Sequence, residues 1–191
     1  MDAEVKLSTL VEAMYMARSE KEIFTPGKPH NWRVDGSLDR VHSDIYIGDG
    51  VAAKNLARLK ELNISYVLNA AEGTGFGMVD TNNSYYSESG IKYKGFAMLD
   101  LPSTDISTHF KEAGDFIDDA LRSECKILVH CLMGRSRSGC LVLAYLMMFC
   151  GMDIITAAET VVKCRDIRPN NGFLMQLLKL DKHLKFCRKQ R

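Results

Sequence analysis

Lys126-Ile-Leu-Val-His130-Cys131-Leu-Met-Gly134-Arg-Ser-Arg137-Ser138-Gly139 is the stretch on which the fold turns. Its first five residues form a short apolar run of strand length, the composition of a strand buried on both faces. The run ends in a cysteine, five further residues and an arginine, and a helical pattern follows over about 138–150. Strand, tight loop and helix in that order are half of a parallel α/β unit, whose chemistry gathers at the carboxyl ends of strands.

The pattern repeats outward from this stretch. Asp44–Gly48 and Ile64–Asn69 read as strands, with Val51–Leu62 between them carrying a helical stripe of Ala52, Leu56 and Leu59. Tyr93–Leu99 reads as a third strand. Beyond Ser107, a candidate cap, Phe110, Ala113, Phe116, Ile117, Ala120 and Leu121 recur at three and four, which predicts a helix. Further helices are expected at about 154–165 and 172–187, set off by Gly151 and by Pro169-Asn-Asn-Gly172. The expected fold is therefore α/β, with a mostly parallel central sheet flanked by helices. Residues 1–36 read as an N-terminal extension ahead of a domain spanning 37–191. The extension carries an amphipathic helix (Leu7, Leu10, Val11, Met14) and a turn-rich linker, Thr25–Pro29.

Each feature of the loop has a purpose if its ligand is a phosphate. Successive backbone amides of Leu132, Met133, Gly134, Arg135 and Ser136 can converge on one anion, and the following helix adds partial positive charge. Gly134 permits the tight curl. Arg137 offers a planar fork for two oxygens, which a lysine does not. The same surroundings act on Cys131: a thiol near pKa ~8.5 falls to roughly 3.5–7.5 beside helix N-termini and cations, so the anion site also makes a nucleophile. Ser138 can donate to the sulfur and steady it as a leaving group. His130 is expected to order the loop by hydrogen bonding, because an ionised thiolate needs no base. The competing reading is a core cysteine before a charged turn; the register of His-Cys, Gly, Arg and Ser behind an apolar strand favours the anion site.

Ester cleavage also needs a proton for the departing oxygen, and a positioned carboxylic acid is worth ~10²–10⁴ in rate. Asp100 and Asp105 both follow a strand upstream of Cys131. Asp105 lies just before Ser107, at a helix start that favours acidic groups, which leaves Asp100 the better candidate.

Composition bounds the rest. The 191 residues are 46% hydrophobic and 26% charged, ordinary values for one globular domain. Lys+Arg number 25 against Asp+Glu 24, a balance that argues against a nucleic-acid-coating protein. The longest apolar run, Leu141–Cys150, is too short to cross a bilayer, and the N-terminus has no apolar signal core. Six cysteines without a Cys-x-x-Cys pair read as reduced thiols of the cytosol or nucleus. His130, Cys131 and His109 lack metal-ligand spacing, so neither metal nor cofactor is expected.

His-Cys-x5-Arg-Ser resembles the signature of the cysteine-based protein phosphatases. The chain resembles their small dual-specificity branch, and within it the VHR-like atypical members. The resemblance runs over about residues 40–187 and includes Ile45–Gly48, Val67–Gly73, Phe116-Ile-Asp, Leu143–Met148 and Arg168–Phe173. It implies a protein-tyrosine-phosphatase-like fold, with Cys131 as nucleophile, Arg137 and Ser138 in their motif positions, and Asp100, ten residues before Phe110, as general acid in preference to Asp105. It further implies that Arg165 meets a second phosphate on doubly phosphorylated substrates, against the plainer reading of a solvated helix charge. Phe76 and Asn170 fall at the implied pocket rim, or serve packing and a turn.

Two departures bear on substrate. Arg135 stands where relatives often carry an apolar or aromatic residue, and Met133 where some are acidic; both shift the local potential positive. There is no Trp-Pro-Asp lid, and the single Trp32 lies in the extension. The resemblance then implies a shallow pocket open to phosphotyrosine, phosphoserine and phosphothreonine. Expected partners are phosphorylated proteins, doubly phosphorylated Thr-x-Tyr kinases among them, with neither nucleic acid nor membrane. The extension would pack on the domain, dock a substrate or pair two copies as a homodimer. The alternatives are a phosphatase of lipid or RNA 5′-phosphates on the same loop, and a non-catalytic phosphoprotein-binding module. An exposed low-pKa thiolate is also open to peroxide, with Cys125 or Cys140 as a resolving thiol.

Overall fold

Five strands, β1 (Leu38–His42), β2 (Ile45–Gly48), β3 (Ile64–Asn69), β4 (Lys92–Gly95) and β5 (Lys126–His130), form one sheet in the order β1-β2-β5-β3-β4. The structure is a computed structural model that describes residues 5–19 and 35–190. The linker expected at Thr25–Pro29 and Trp32 lie outside the described residues. β2, β5, β3 and β4 run parallel, and only the edge strand β1 is antiparallel. The mostly parallel α/β sheet is thus the one expected.

β5 sits at the centre and is buried on both faces. Ile127 and Val129 face the larger apolar cluster, while Leu128 joins a smaller one with Ala53, Leu59, Val67 and Tyr86. The larger cluster is covered by α5 (Phe110–Arg122), α6 (Arg137–Met148), α7 (Ile154–Val162) and α8 (Asn171–Lys189). The smaller is covered by α2 (Gly50–Lys54), α3 (Leu56–Glu61) and α4 (Asn83–Ser87). α6 is buried from Arg137 to Met147, which explains why its sequence is apolar all round rather than striped. α1 (Leu7–Ser19) turns Leu10, Met14 and Ala17 into the larger cluster and packs on α7, leaving Val11 exposed. Among the described residues, no helix is long and apolar enough to cross a membrane.

Three expectations need correction. The single helix over Val51–Leu62 is two, because Asn55 leaves the helical path and its side chain accepts from the Arg58 amide, capping α3. The strand expected over Tyr93–Leu99 runs instead over Lys92–Gly95, and Phe96 keeps two backbone bonds, to Asn69 O and from the Glu72 amide, before the chain leaves the sheet. Ser107 is not a cap. Asp105 caps a 3₁₀ turn (Ile106–His109), and α5 starts only at Phe110. β1 and α4 had no expectation, having too few apolar positions to show a period.

Candidate active site

Residues 131–136 curl between the end of β5 and the start of α6, and the curl is set by where its carbonyls go. Leu132 O accepts from the Gly50 amide at 3.0 Å and Arg135 O from the Arg168 amide at 3.0 Å. Arg165 takes the two between them, donating from Nε to Gly134 O at 2.7 Å and from Nη2 to Met133 O at 3.3 Å. With four successive carbonyls bonded outside the loop, the amides are free to turn inward. Gly134 has φ +64°, and an added Cβ would overlap the Gly48 carbonyl, so only glycine fits that position.

Cys131 lies on the inner side, 1% exposed, with its sulfur 3.3 Å from the Ser138 hydroxyl. Burial pushes the thiol pKa up. The Arg137 charge, the Ser138 hydroxyl and amide, and the Arg135 amide together outweigh it and hold the pKa below the ordinary thiol value. Burial moves Cys140 in the opposite direction, well above the ordinary value, with no loop to oppose it.

Arg137 is buried at the first position of α6 and anchored by its tips. Nη1 donates to Met98 O and Nη2 to Gly77 O, each at 2.9 Å. Nε has no hydrogen-bond partner among the described residues and stands 3.6 Å from Asp100 Oδ2. A buried guanidinium N–H without a partner is costly unless a ligand oxygen meets it. Asp100 is fixed by two donors on its other oxygen: Ser136 Oγ at 2.7 Å and Asn170 Nδ2 at 2.9 Å. Ser136 Oγ in turn accepts from the Asn170 amide at 3.2 Å. Asp105 is engaged elsewhere, accepting from the Ser107 amide and hydroxyl. Of the two acids open on sequence, the structure brings Asp100 to the loop.

Three expected residues behave differently. Arg165 is not a solvated charge. It is 7% exposed, its Nη1 bonds Asp39 at 2.7 Å, and its remaining donors serve the loop carbonyls and the Ser37 hydroxyl. Arg135 does not add a bare cation to the mouth, because Asp166 pairs with it at 2.8 Å. The same carboxylate holds Arg168 at 3.0 Å and, from α1, Arg18 at 2.7 Å. His130 orders the loop less through its ring than expected, since neither ring nitrogen makes a well-formed hydrogen bond among the described residues and the Cys131 backbone is its one polar contact in the loop. Its main chain does that work: its carbonyl accepts from the Ala70 amide at 2.8 Å, between β3 and β2. Phe76 is fully exposed one residue before Gly77, the carbonyl that anchors Arg137. Asn170 is the cap of α8 as well as the donor to Asp100. Asp166 and Arg18 carry no local sequence signal; three arginines around one carboxylate come together only in the fold.

The buried imidazole has a measurable consequence. Burial, with the Arg137 and Lys54 charges adding to it and a backbone contact with Cys131 opposing, lowers the His130 pKa from 6.5 to about 3. Between those values the unfolded chain binds a proton that the folded one excludes, so stability falls as pH falls across the window, by up to about 1.4 kcal/mol per pH unit. His130→Gln is expected to lose that part of the slope in urea midpoints compared between pH 7 and pH 4.5. An unchanged slope would mean that the ring carries its proton in the fold.

The family model for the dual specificity phosphatase catalytic domain matches residues 45–183. Among solved structures the chain is similar to human DUSP28, at 26% identity and TM-score 0.68, over 78% of this chain and 95% of that one. It is similar also to a mouse putative dual specificity phosphatase complexed with zinc tungstate, at 26% and 0.68, over 84% and 95%. A third is the human tyrosine phosphatase-like serine/threonine/tyrosine-interacting protein, at 26% and 0.67, over 76% and 96%.

Proposed function

From the premise that this chain belongs to the dual specificity phosphatase catalytic-domain family, and so is a cysteine-based phosphatase, we propose that it hydrolyses phosphotyrosine and phosphoserine/phosphothreonine in proteins through a phosphocysteine. One observation carries the reading: the unpartnered Nε–H of Arg137 lies between the amide curl around Cys131 and the clamped carboxyl of Asp100. A phosphoryl group placed there meets a nucleophile, an oxyanion clamp and a proton donor at once.

In the first step Cys131 Sγ attacks phosphorus in line. The S–P bond forms as the P–O bond to the substrate breaks, and the leaving oxygen takes a proton from Asp100. Oδ1 already accepts from Ser136 and Asn170, so Oδ2 is the oxygen that holds that proton. In the second step Asp100, now a base, takes a proton from water as its oxygen attacks the phosphocysteine, releasing inorganic phosphate and the thiolate. The loop amides and Arg137 hold the equatorial oxygens throughout, and the Ser138 hydroxyl donates to the departing sulfur.

Asp166 holds the Arg135 guanidinium at 2.8 Å, so that charge is not presented bare to a lipid headgroup or an RNA 5′-end. On this reading the partners are phosphorylated proteins of the cytosol or nucleus, doubly phosphorylated Thr-x-Tyr kinases among them. The test is a panel of phosphotyrosine, phosphothreonine, phosphoserine and doubly phosphorylated Thr-x-Tyr peptides, run beside a phosphoinositide and a 5′-phosphorylated RNA. Turnover of tyrosine and serine/threonine phosphopeptides is expected. Turnover confined to the lipid or the RNA would replace the reading, and binding without turnover of any aryl phosphate would make the protein a recognition module.

A further inference from the structure

Asp100 opens a segment, 100–105, that belongs to no helix or strand and lies mostly in solvent. Met98 and Ile106, both buried, pin its ends. Such a segment would ordinarily sample many conformations, and an acid carried on it would spend little time in reach of a substrate. Here the segment lies along the first two turns of α8. At the cap, Asn170 Nδ2 holds the Asp100 carboxyl at 2.9 Å. Two residues into the helix, Gly172 lets the Pro102 carbonyl rest against the helix, where an added Cβ would overlap it. Four residues later and on the same face, Gln176 closes the far end, donating from Nε2 to Thr104 O at 2.9 Å and accepting the Ser107 amide on Oε1 at 3.0 Å.

We propose that Gln176, with Gly172, is a positioning residue for the general acid: α8 docks the acid-bearing segment before substrate arrives, so the acid works at a fixed height without closure of a lid. The inference rests on the reading of Asp100 as the acid. Gln176 touches neither the loop around Cys131 nor Asp100. It fixes the backbone four and seven residues beyond that acid. Its amide is suited to the task, because one planar group gives a second donor to the Thr104 carbonyl, which the Ile106 amide also meets at 3.2 Å, and a second acceptor to the Ser107 N–H, which Asp105 also meets at 3.1 Å.

The position of an acid matters in proportion to the proton it must deliver. Alkyl phosphates of serine and threonine leave as strongly basic oxygens, whereas an activated aryl phosphate leaves with little help. Gln176→Ala is therefore expected to lower kcat on a phosphothreonine peptide by roughly 10- to 100-fold, with KM little changed. In the first step on an aryl phosphate with an acidic leaving group, read as the burst of released phenol, the loss is expected to stay within about threefold. Gln176→Glu keeps the size and the acceptor but loses the donor to Thr104, and is expected to fall between. Gly172→Ala displaces Pro102 and is expected to resemble Gln176→Ala.

A double-mutant comparison separates docking from general damage to the fold. With Asp100→Ala already in place, Gln176→Ala is expected to cost nothing further, since there is no acid left to position. An equal loss on both substrates, or an equal loss with and without Asp100, would overturn the proposal. If Asp100→Ala itself shows no dependence on the leaving group, the assignment of the acid fails instead, and the two failures are read from different variants.

Discussion

Cys131→Ser is expected to abolish turnover, by roughly the 10⁶-fold seen when a covalent nucleophile is removed, while leaving phosphate affinity intact. The reason lies in how the loop spends its charge. Arg137, the Ser138 hydroxyl and two amides bring the Cys131 thiol below its ordinary pKa against the opposing effect of burial. A serine hydroxyl starts so much higher that the same surroundings leave it protonated. His130, the neighbouring basic group in sequence, is buried and its pKa is pushed down to about 3, so it is a poor base. The amide curl and the free Nε–H of Arg137 are untouched by the substitution, so the anion site persists. Calorimetric titration with inorganic phosphate measures the affinity, and single-turnover assay on a phosphotyrosine peptide measures the chemistry. Retention of more than a small fraction of turnover would end the phosphocysteine mechanism.

Asp100→Ala carries the second-largest expected effect, a loss of roughly 10²–10⁴ in kcat on phosphothreonine and phosphoserine peptides. Two donors hold one oxygen of this carboxyl, and the other faces Arg137 Nε across 3.6 Å. Removing it leaves the leaving oxygen to depart as an alkoxide and leaves no base to activate water on the phosphocysteine. On esters with acidic leaving groups the first loss shrinks and the second remains, so the slow step moves to hydrolysis of the intermediate. A burst of released alcohol followed by slow turnover is the expected signature in rapid-mixing experiments. Loss of the same size on every ester, without a burst, would place the acid elsewhere.

What the sequence discloses and what it withholds divide along a physical line. Ile127-Leu-Val129 between a polar start and His-Cys is a local pattern, and the central strand, the loop and the helix after it follow from it. The strand at Ile64–Asn69 and the helices beyond Asp153 are similarly local. The misplacements arise where a side chain overrides the period: Asn55 capping within an apolar stripe, and Asp105 rather than Ser107 starting the turn before α5. In the sequence the choice of Asp100 over Asp105 rests on the place of Asp105 at a helix start and on the family resemblance; the fold separates them by giving one Ser136 and Asn170 and the other Ser107. Arg165 was least legible. Its role depends on two carbonyls 31 and 32 positions upstream and on Asp39, 126 positions away, none of which a helical charge pattern encodes.

The convergence on Asp166 has a reach beyond the loop it steadies. Arg18 grips one oxygen of that carboxylate from the end of the first helix, and Arg135 grips the other from inside the catalytic turn. A displacement of that helix therefore arrives at the second residue before Arg137. Kinetic constants collected on a chain trimmed to residue 37 would describe a different machine, with one of its guy-ropes cut.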